Sequence, residues 1–269
     1  MQQTFAKYEG IGNDFILIEA GEGFSPADAK RLCDRHRGIG ADGVLLTGVR
    51  DGRPFMVVMN ADGSTAEMCG NGIRCVALHV VRRGWVEGRE FDIDTGAGPH
   101  HCRVDGESVQ VTMRSPSLDP GDVPVDAPAP VIEERWVFNG TPVKVTALSM
   151  GNPHMVTFDA LEDRRVVLGP PMEKDSRFAR GANVGFAKMT GEAALDVHVW
   201  ERGSGWTMAC GTGACAAAVA AVETGRAQRD TPLAVTLPGG TLSITVSSRG
   251  EPVRMTGPAR HVFDGTVTI

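Results

Sequence analysis

Short runs of alternating or β-branched apolar residues recur along the chain between clusters of Gly, Asp, Asn and Pro: FILIEA, RPFMVVMN, FDIDT, SVQVTM, HMVTF, DVHVW, LAVTL and LSITV. A period of two over that length predicts strands. Two stretches break the pattern. Ile73, Val76, Ala77, Val80 and Val81 keep helical spacing, with Arg82 and Arg83 at the negative end of the helix dipole and Gly84 as its cap. From Gly213 to about Thr224 the chain is alanine-rich and apolar nearly all round, the pattern of a helix buried on every side.

The same punctuation occurs twice, in the same order. GNDF at Gly12 is answered by GNPH at Gly151, RGIGADGVLL at Arg37 by RGANVGFAKM at Arg180, and MCGNGIRC by ACGTGAC, which aligns Cys69 with Cys210. The offsets of these pairs all lie between 139 and 143 positions, and Gly84 and Gly225 each follow their cysteine by 15. Two homologous halves are therefore expected. They predict an α+β protein of two pseudo-symmetric lobes, each a β-sheet or barrel-like set of strands around a central buried helix. The N-terminal lobe should take residues 1–115 plus 258–269 and carry Cys69; the C-terminal lobe should take residues 116–257 and carry Cys210. Between them, SPSLDPGDVPVDAPAPVIEE from Ser115 has no helical period and reads as the connection. Lobes so joined should leave a cleft, with the two CGxG loops facing each other if a pseudo-twofold axis relates them.

Charge removes several classes of function. A net charge of -6, with 27 basic and 33 acidic residues spread along 269 positions, provides no basic stripe for a phosphate backbone, so no nucleic-acid partner is expected. Nothing approaches an apolar run of roughly 18 residues, and MQQTFAKYEG has no signal-peptide pattern, so a cytoplasmic protein without membrane contact is expected. Six cysteines in such a compartment should be reduced thiols. There is no CxxC and no HExxH, hence no expected metal site.

Cysteine is then either structural or reactive. At a helix N-terminus the dipole lowers a thiol pKa from about 8.5 toward the thiolate range. The glycines that follow leave backbone N–H groups open to a carboxylate. A carboxylate held between two such termini would place its Cα between two thiols, one taking the α-proton and the other delivering its own from the opposite face. Charge developing on the carboxylate needs pre-organised donors, at about 2.7 to 4 kcal/mol each, rather than dipoles alone. The amides of Gly70, Asn71, Gly211 and Thr212 are the candidates. Cys33, Cys75, Cys102 and Cys215 read as small buried hydrophobes. His36, His79, His198 and His261 have no evident partner in the sequence, and His100 and His101 are expected to be exposed beside a hairpin turn.

The strings GIGNDFILIEA, RHRGIGADGVLL, MNADGSTAEMCGNGIRC, SMGNPHMV, VWERGSG, ACGTGACAA and MTGPARHVFDG resemble the diaminopimelate epimerase family over essentially the whole chain. The resemblance implies a pyridoxal-independent, cofactor-free two-thiol epimerase that converts LL-diaminopimelate to the meso form, lobe closure, often a homodimer, and a last strand, after about Gly257, that completes the first lobe. By resemblance, Cys69 and Cys210 are the catalytic pair. Glu201 and His154 attend the α-amino end, Asn60, Asn183 and Arg202 the distal amino acid end, and Asn13 and Asn152 line the pocket. Acceptors for an ammonium and a bidentate arginine for a second carboxylate suit such a zwitterion. Two positions depart from the family: Trp206 replaces Glu before Thr207, and Gly43 stands where some relatives have Gln. Trp206 reads first as packing, though it could reshape the pocket. A racemase of another amino acid such as histidine is the nearest alternative, and a thiol redox switch a remote one. Cysteine-free isomerases of the phenazine type are disfavoured by the presence of both thiols.

Overall fold

The computed structural model describes residues 2–19, 23–161 and 163–269. It divides into two compact units, Met1–Thr112 with Thr256–Ile269, and Met113–Met255. The first contains β1 (Gln2–Gly10), β2 (Asn13–Glu19), α1 (Pro26–Cys33), β3 (Gly43–Arg50), β4 (Arg53–Asn60), β5 (Thr65–Ala66), α2 (Gly70–Arg82), β6 (Glu90–Thr95), β7 (Gly98–Asp105) and β8 (Ser108–Thr112). The second contains β9 (Glu134–Phe138), β10 (Thr141–Ser149), β11 (Pro153–Thr157), α3 (Arg165–Glu173), β12 (Asn183–Gly191), β13 (Ala194–Glu201), β14 (Gly205–Trp206), α4 (Gly211–Glu223), β15 (Pro232–Leu237) and β16 (Gly240–Val246). β17 (Val253–Pro258) carries the chain back to the first unit, and β18 (Arg260–Thr268) ends it. Ala20, the last residue of the FILIEA run, lies outside the described residues.

Strand pairing repeats element by element. β1–β2 is antiparallel, β2–β3 parallel, β3–β4 antiparallel, β4–β6 parallel and β6–β7 antiparallel. In the second unit β10–β11, β11–β12, β12–β13, β13–β15 and β15–β16 run in the same sequence of senses. The outer partner of the first strand comes from different places. β18 pairs antiparallel with β1 from the end of the chain, whereas β9 pairs antiparallel with β10 from just before it.

Each sheet wraps a 13-residue helix. α2 packs against β1, β2, β3, β4, β7, β8 and β18, and α4 against β10, β11, β12, β13, β15 and β16. Both helices end alike. Gly84 and Gly225 have φ of 66 and 73°, their N–H groups bond Val81 and Val222 O, and the next N–H groups, of Trp85 and Arg226, bond Val80 and Ala221 O. This is the left-handed glycine cap. α4 is buried all round because it is alanine. α2, whose spacing suggested one apolar face, is buried throughout Gly70–Val80 although it contains Arg74 and His79. These buried groups draw hydrogen-bond partners from within the protein. Arg74 Nη1 donates to Gly70 O and Asn71 Oδ1, and Arg74 Nε to Pro258 O. His79 meets Tyr8 Oη at 3.1 Å and Glu19 Oε1 at 3.2 Å.

A second helix lies on the outer face of each sheet. α1 begins in a capping box: Ser25 Oγ accepts from Asp28 N and Asp28 Oδ2 from Ser25 N, with Pro26 in the first turn. Ala29 and Leu32 of α1 join Phe5, Ile16, Ile18 and Val44 in the first outer core. Leu168 and Met172 of α3 join Met155, Val184 and Phe186 in the second.

Two expectations need correction here. The proline-rich stretch from Ser115 is not a bare connection. Val123, Val125 and Val131 are buried in the second outer core, and bridges Ser117–Ser149 and Val125–Phe178 fasten the stretch to its unit. Prolines suppress a period that these isolated valines did not need. His100, expected at the surface, is buried, with Nδ1 3.1 Å from Gly98 O, because alternate residues of β7 face inward; His101, one position on, is exposed against Asp92. Cys33, Cys75, Cys102 and Cys215 are buried, and none of the six cysteines is in a disulfide. Among the described residues no helix is long and apolar enough to cross a membrane, and no group of three or more His, Cys, Asp or Glu is arranged to hold a metal ion.

Candidate active site

Cys69 and Cys210 are the N-caps of α2 and α4, both in extended backbone (φ -135 and -127°). An N-cap side chain lies beside the first turn's amides, which have no acceptor within the helix. Gly72 N accordingly donates to Cys69 Sγ at 3.4 Å, while Cys210 Sγ lies 3.7 Å from Thr212 Oγ1. Gly72 and Gly213 are glycine for a packing reason. A Cβ on Gly213 would lie 2.9 Å from Val199 Cγ2 and 3.2 Å from Cys210 Sγ, and one on Gly72 3.1 Å from a Leu45 methyl. The helix start, the sulfur and the strand beneath are in direct contact.

In the first unit the turn between β1 and β2 reaches α2. Ile11 and Gly12 both have positive φ (50 and 81°), a strained choice for a β-branched residue, and Asn13 follows. Asn71 Nδ2 donates to Asn13 Oδ1, and Asn13 Nδ2 to Asp42 Oδ2. Arg35 spans Asp42 and Asp14, and Lys7 donates to Asp14 Oδ2 and to Gly40 O. The two cations hold Asp14 below the usual carboxylate range against the opposing effect of burial. Asn13, Gly70, Asn71 and Cys69 are thus tied together, while Asn60 turns to Ser64 Oγ at the end of β4.

The second unit places different chemistry at the equivalent points. In register, Phe15 lies beside Gly43 and Gly43 beside Asn60; in the second unit His154 lies beside Asn183, and Glu201 ends the strand that pairs with β12. Where one unit has Phe15, Gly43 and Asn60, the other has His154, Asn183 and Glu201. Glu201 accepts from Thr207 Oγ1 at 2.6 Å and is hydrogen-bonded to the Cys210 thiol. Burial pushes the Cys210 thiol well up, and the Glu201 charge pushes it further; the Gly213 amide and Thr212 hydroxyl oppose this without prevailing. At Cys210 desolvation thus outweighs the favourable effect of the helix terminus.

His154 is buried, with Nε2 2.9 Å from Asn152 Oδ1. Burial and then the Arg202 charge push it down to about 3, so it is a neutral imidazole. With Nε2–H donating to Asn152, Nδ1 is left as an acceptor. Asn183 does not present its amide outward. Its Nδ2 donates to Pro153 O and its Oδ1 accepts from Arg202 N, so it fixes the backbone of Arg202. Arg202 is itself exposed, with Nη1 on Arg180 O.

Trp206 stands on the other face. Val199 packs against Gly213 of α4, and Trp200, the next residue of β13, against Gly169 of α3. Trp206 meets Trp200 edge-on at 5.3 Å and Phe186 at 5.7 Å, on the α3 side. Glu201 shares the side of Val199. Gly43 is closely confined, since a Cβ there would lie 2.8 Å from Met59 O. Sequence reading missed Thr207, Asp42, Trp200 and Glu173; Asp42 meets Asn13 and Trp200 meets Glu173 across more than 25 positions, whereas Thr207 meets Glu201 within the ERGSGWT turn.

A family model described as diaminopimelate epimerase matches residues 5–118 and 146–262. Diaminopimelate epimerases of Geobacillus thermodenitrificans and Synechocystis sp. are each 42% identical to this chain, covering 97% of it and 95% of the first, and 100% of both sequences for the second. A chloroplastic diaminopimelate epimerase of Oryza sativa is 40% identical over 97% of this chain and 79% of its own length. Among solved structures, a PhzF-family phenazine biosynthesis protein of Bacillus anthracis has a TM-score of 0.73 at 14% identity over 100% of both chains. A hydroxyproline epimerase of Agrobacterium vitis has 0.69 at 13%, covering 99% of this chain and 92% of its own. At such identities these structures share the fold.

Proposed function

The chain belongs to the diaminopimelate epimerase family, and from that premise we propose that it converts LL-diaminopimelate to the meso form without a cofactor, with Cys69 and Cys210 as the acid–base pair. The observation that carries this reading is the pair of equivalent 13-residue helices, each with a cysteine in extended backbone at its N-cap, Cys69 on one and Cys210 on the other. One thiolate takes the α-proton, breaking C–H and forming S–H. The other thiol delivers its proton to the opposite face of the same carbon. In the resting protein Cys210 is the protonated partner, held so by burial and by Glu201. A substrate ammonium bound to Glu201 would neutralise that carboxylate and so ease ionisation of Cys210 when the reaction runs the other way. Neutral His154 supplies a further acceptor, and the exposed guanidinium of Arg202 suits the distal carboxylate.

Two thiols predict asymmetric isotope labelling. In deuterated solvent, early product should carry deuterium at the inverted carbon while recovered substrate carries almost none, and Cys69→Ala or Cys210→Ala should abolish inversion. Equal labelling of both pools, or one alanine variant that still epimerises comparably, would refute the pair. A racemase acting on histidine would instead turn over simple amino acids faster than LL-diaminopimelate. The same reading takes the enzyme to be cytoplasmic and homodimeric. Six cysteines outside disulfides suit a reducing compartment, and Val262 and Phe263 are exposed apolar residues on β18. Sedimentation equilibrium at one protomer mass would exclude the dimer.

A further inference from the structure

α3 ends on a carboxylate in an unfavourable place. Glu173 is buried, at the C-terminal end of a helix where a negative charge is repelled by the dipole. It is kept by what it accepts: Trp200 Nε1–H at 2.8 Å on Oε2 and the Gly203 amide at 2.9 Å on Oε1. Its backbone oxygen accepts from Ala182 N. Trp200 is confined as well. A Cβ on Gly169 would fall 2.8 Å from its ring, Gly205 closes over the far edge, and Trp206 meets it edge-on. The two donors flank Glu201 and Arg202 in the chain. Gly203, with φ of 79°, is the residue at which β13 turns back.

We propose that Glu173 is a positioning residue for the reaction: through Trp200 Nε1 and the Gly203 amide it fixes the end of β13 from the α3 side, so that Glu201 on the α4 side meets Cys210. The proposal rests on the reading of Glu201 and Cys210 given above. Both ends of the Glu201–Arg202 step are clamped by one carboxylate, and Asn183 holds the Arg202 amide between them. Release of either donor allows the strand end to rotate, which moves Glu201 on the opposite face.

Glu173→Gln retains one acceptor and presents an NH2 to the other donor, so one bond is lost in a side chain of equal size. Misplacement by about 1 Å costs on the order of 100-fold in rate. The variant should therefore lower kcat by 10- to 100-fold with KM changed less than threefold. Trp200→Phe, which keeps a ring but removes the N–H, should show the same split with a smaller loss. The readout that separates positioning from loss of fold is the titration of Cys210, followed by thiolate ultraviolet absorbance as the difference from the corresponding Cys210→Ser protein. With Glu201 displaced, its charge no longer opposes ionisation, and the thiol should titrate at lower pH in Glu173→Gln than in the parent. Glu201→Gln should shift it in the same direction. An unshifted Cys210 titration in Glu173→Gln, together with parental kcat, overturns the proposal. If Glu201→Gln retains parental activity, the catalytic reading of Glu201 fails, while the titration of Glu173→Gln still decides whether the clamp holds Glu201 against the thiol.

Discussion

Gly213→Ala sets helix propensity against packing at the point where α4, β13 and Cys210 meet. In an isolated helix the substitution would stabilise by at most about 1 kcal/mol. Here the new methyl would stand 2.9 and 3.2 Å from the two Val199 methyls and 3.2 Å from Cys210 Sγ. Val199 is β-branched, with a restricted χ1, on a strand paired on both sides, so it cannot simply swing away. Overpacking of this kind costs about 1–3 kcal/mol, and packing should win by about 1–2 kcal/mol. For a chain of this size the midpoint of thermal unfolding should fall by roughly 2–6 °C. The Cys210 sulfur must also give way by a few tenths of an ångström to the new methyl, and kcat should fall about tenfold, since a full ångström costs on the order of 100-fold. Calorimetry and turnover of LL-diaminopimelate provide the two readouts. Gly72→Ala is the internal comparison. Its nearest atoms are the Leu45 methyls at 3.1 and 3.2 Å, ends of a side chain with more freedom, so its stability loss should be the smaller. A Gly213→Ala protein that is more stable than the parent and equally active would refute the claim that the glycine serves close packing of helix, strand and sulfur.

Val131→Ala should destabilise by about 2 kcal/mol in urea melts, because the residue is core; a change within about 0.5 kcal/mol would mark the stretch as a linker after all. His79 and His154 are pushed down by burial, to about 4 and about 3, from 6.5. The unfolded chain therefore binds more protons than the folded one between about 6.5 and 4, so their contribution is present above 6.5 and lost as pH falls. Urea midpoints should drop through that window, with a shallower slope in His79→Asn; a flat or rising profile would contradict burial of neutral imidazoles. Trp206→Glu should lower stability by about 1 kcal/mol through lost aromatic contacts while leaving the preference for LL-diaminopimelate over simple amino acids unchanged. A changed preference would return Trp206 to the pocket.

What the sequence alone determined about this protein is whatever short-range physics writes into neighbouring residues. Period-two runs marked strands such as Arg53–Asn60, and Gly84 and Gly225 marked two helix ends. The repeat of that punctuation disclosed the duplication and put both cysteines at helix starts. Only the tertiary structure decided the rest, because burial and partner choice depend on residues far apart in the chain. Val123 and Val131 joined a core that no local pattern announced, and α2 became buried throughout because strands from both ends of the chain surround it. Resemblance placed Asn183 at the distal end of a ligand, and the fold adds that its amide oxygen holds the Arg202 backbone. The helix start at Cys210 pointed only to a lowered thiol pKa. Its protonation is governed instead by desolvation and by Glu201, terms that exist only once the chain has folded.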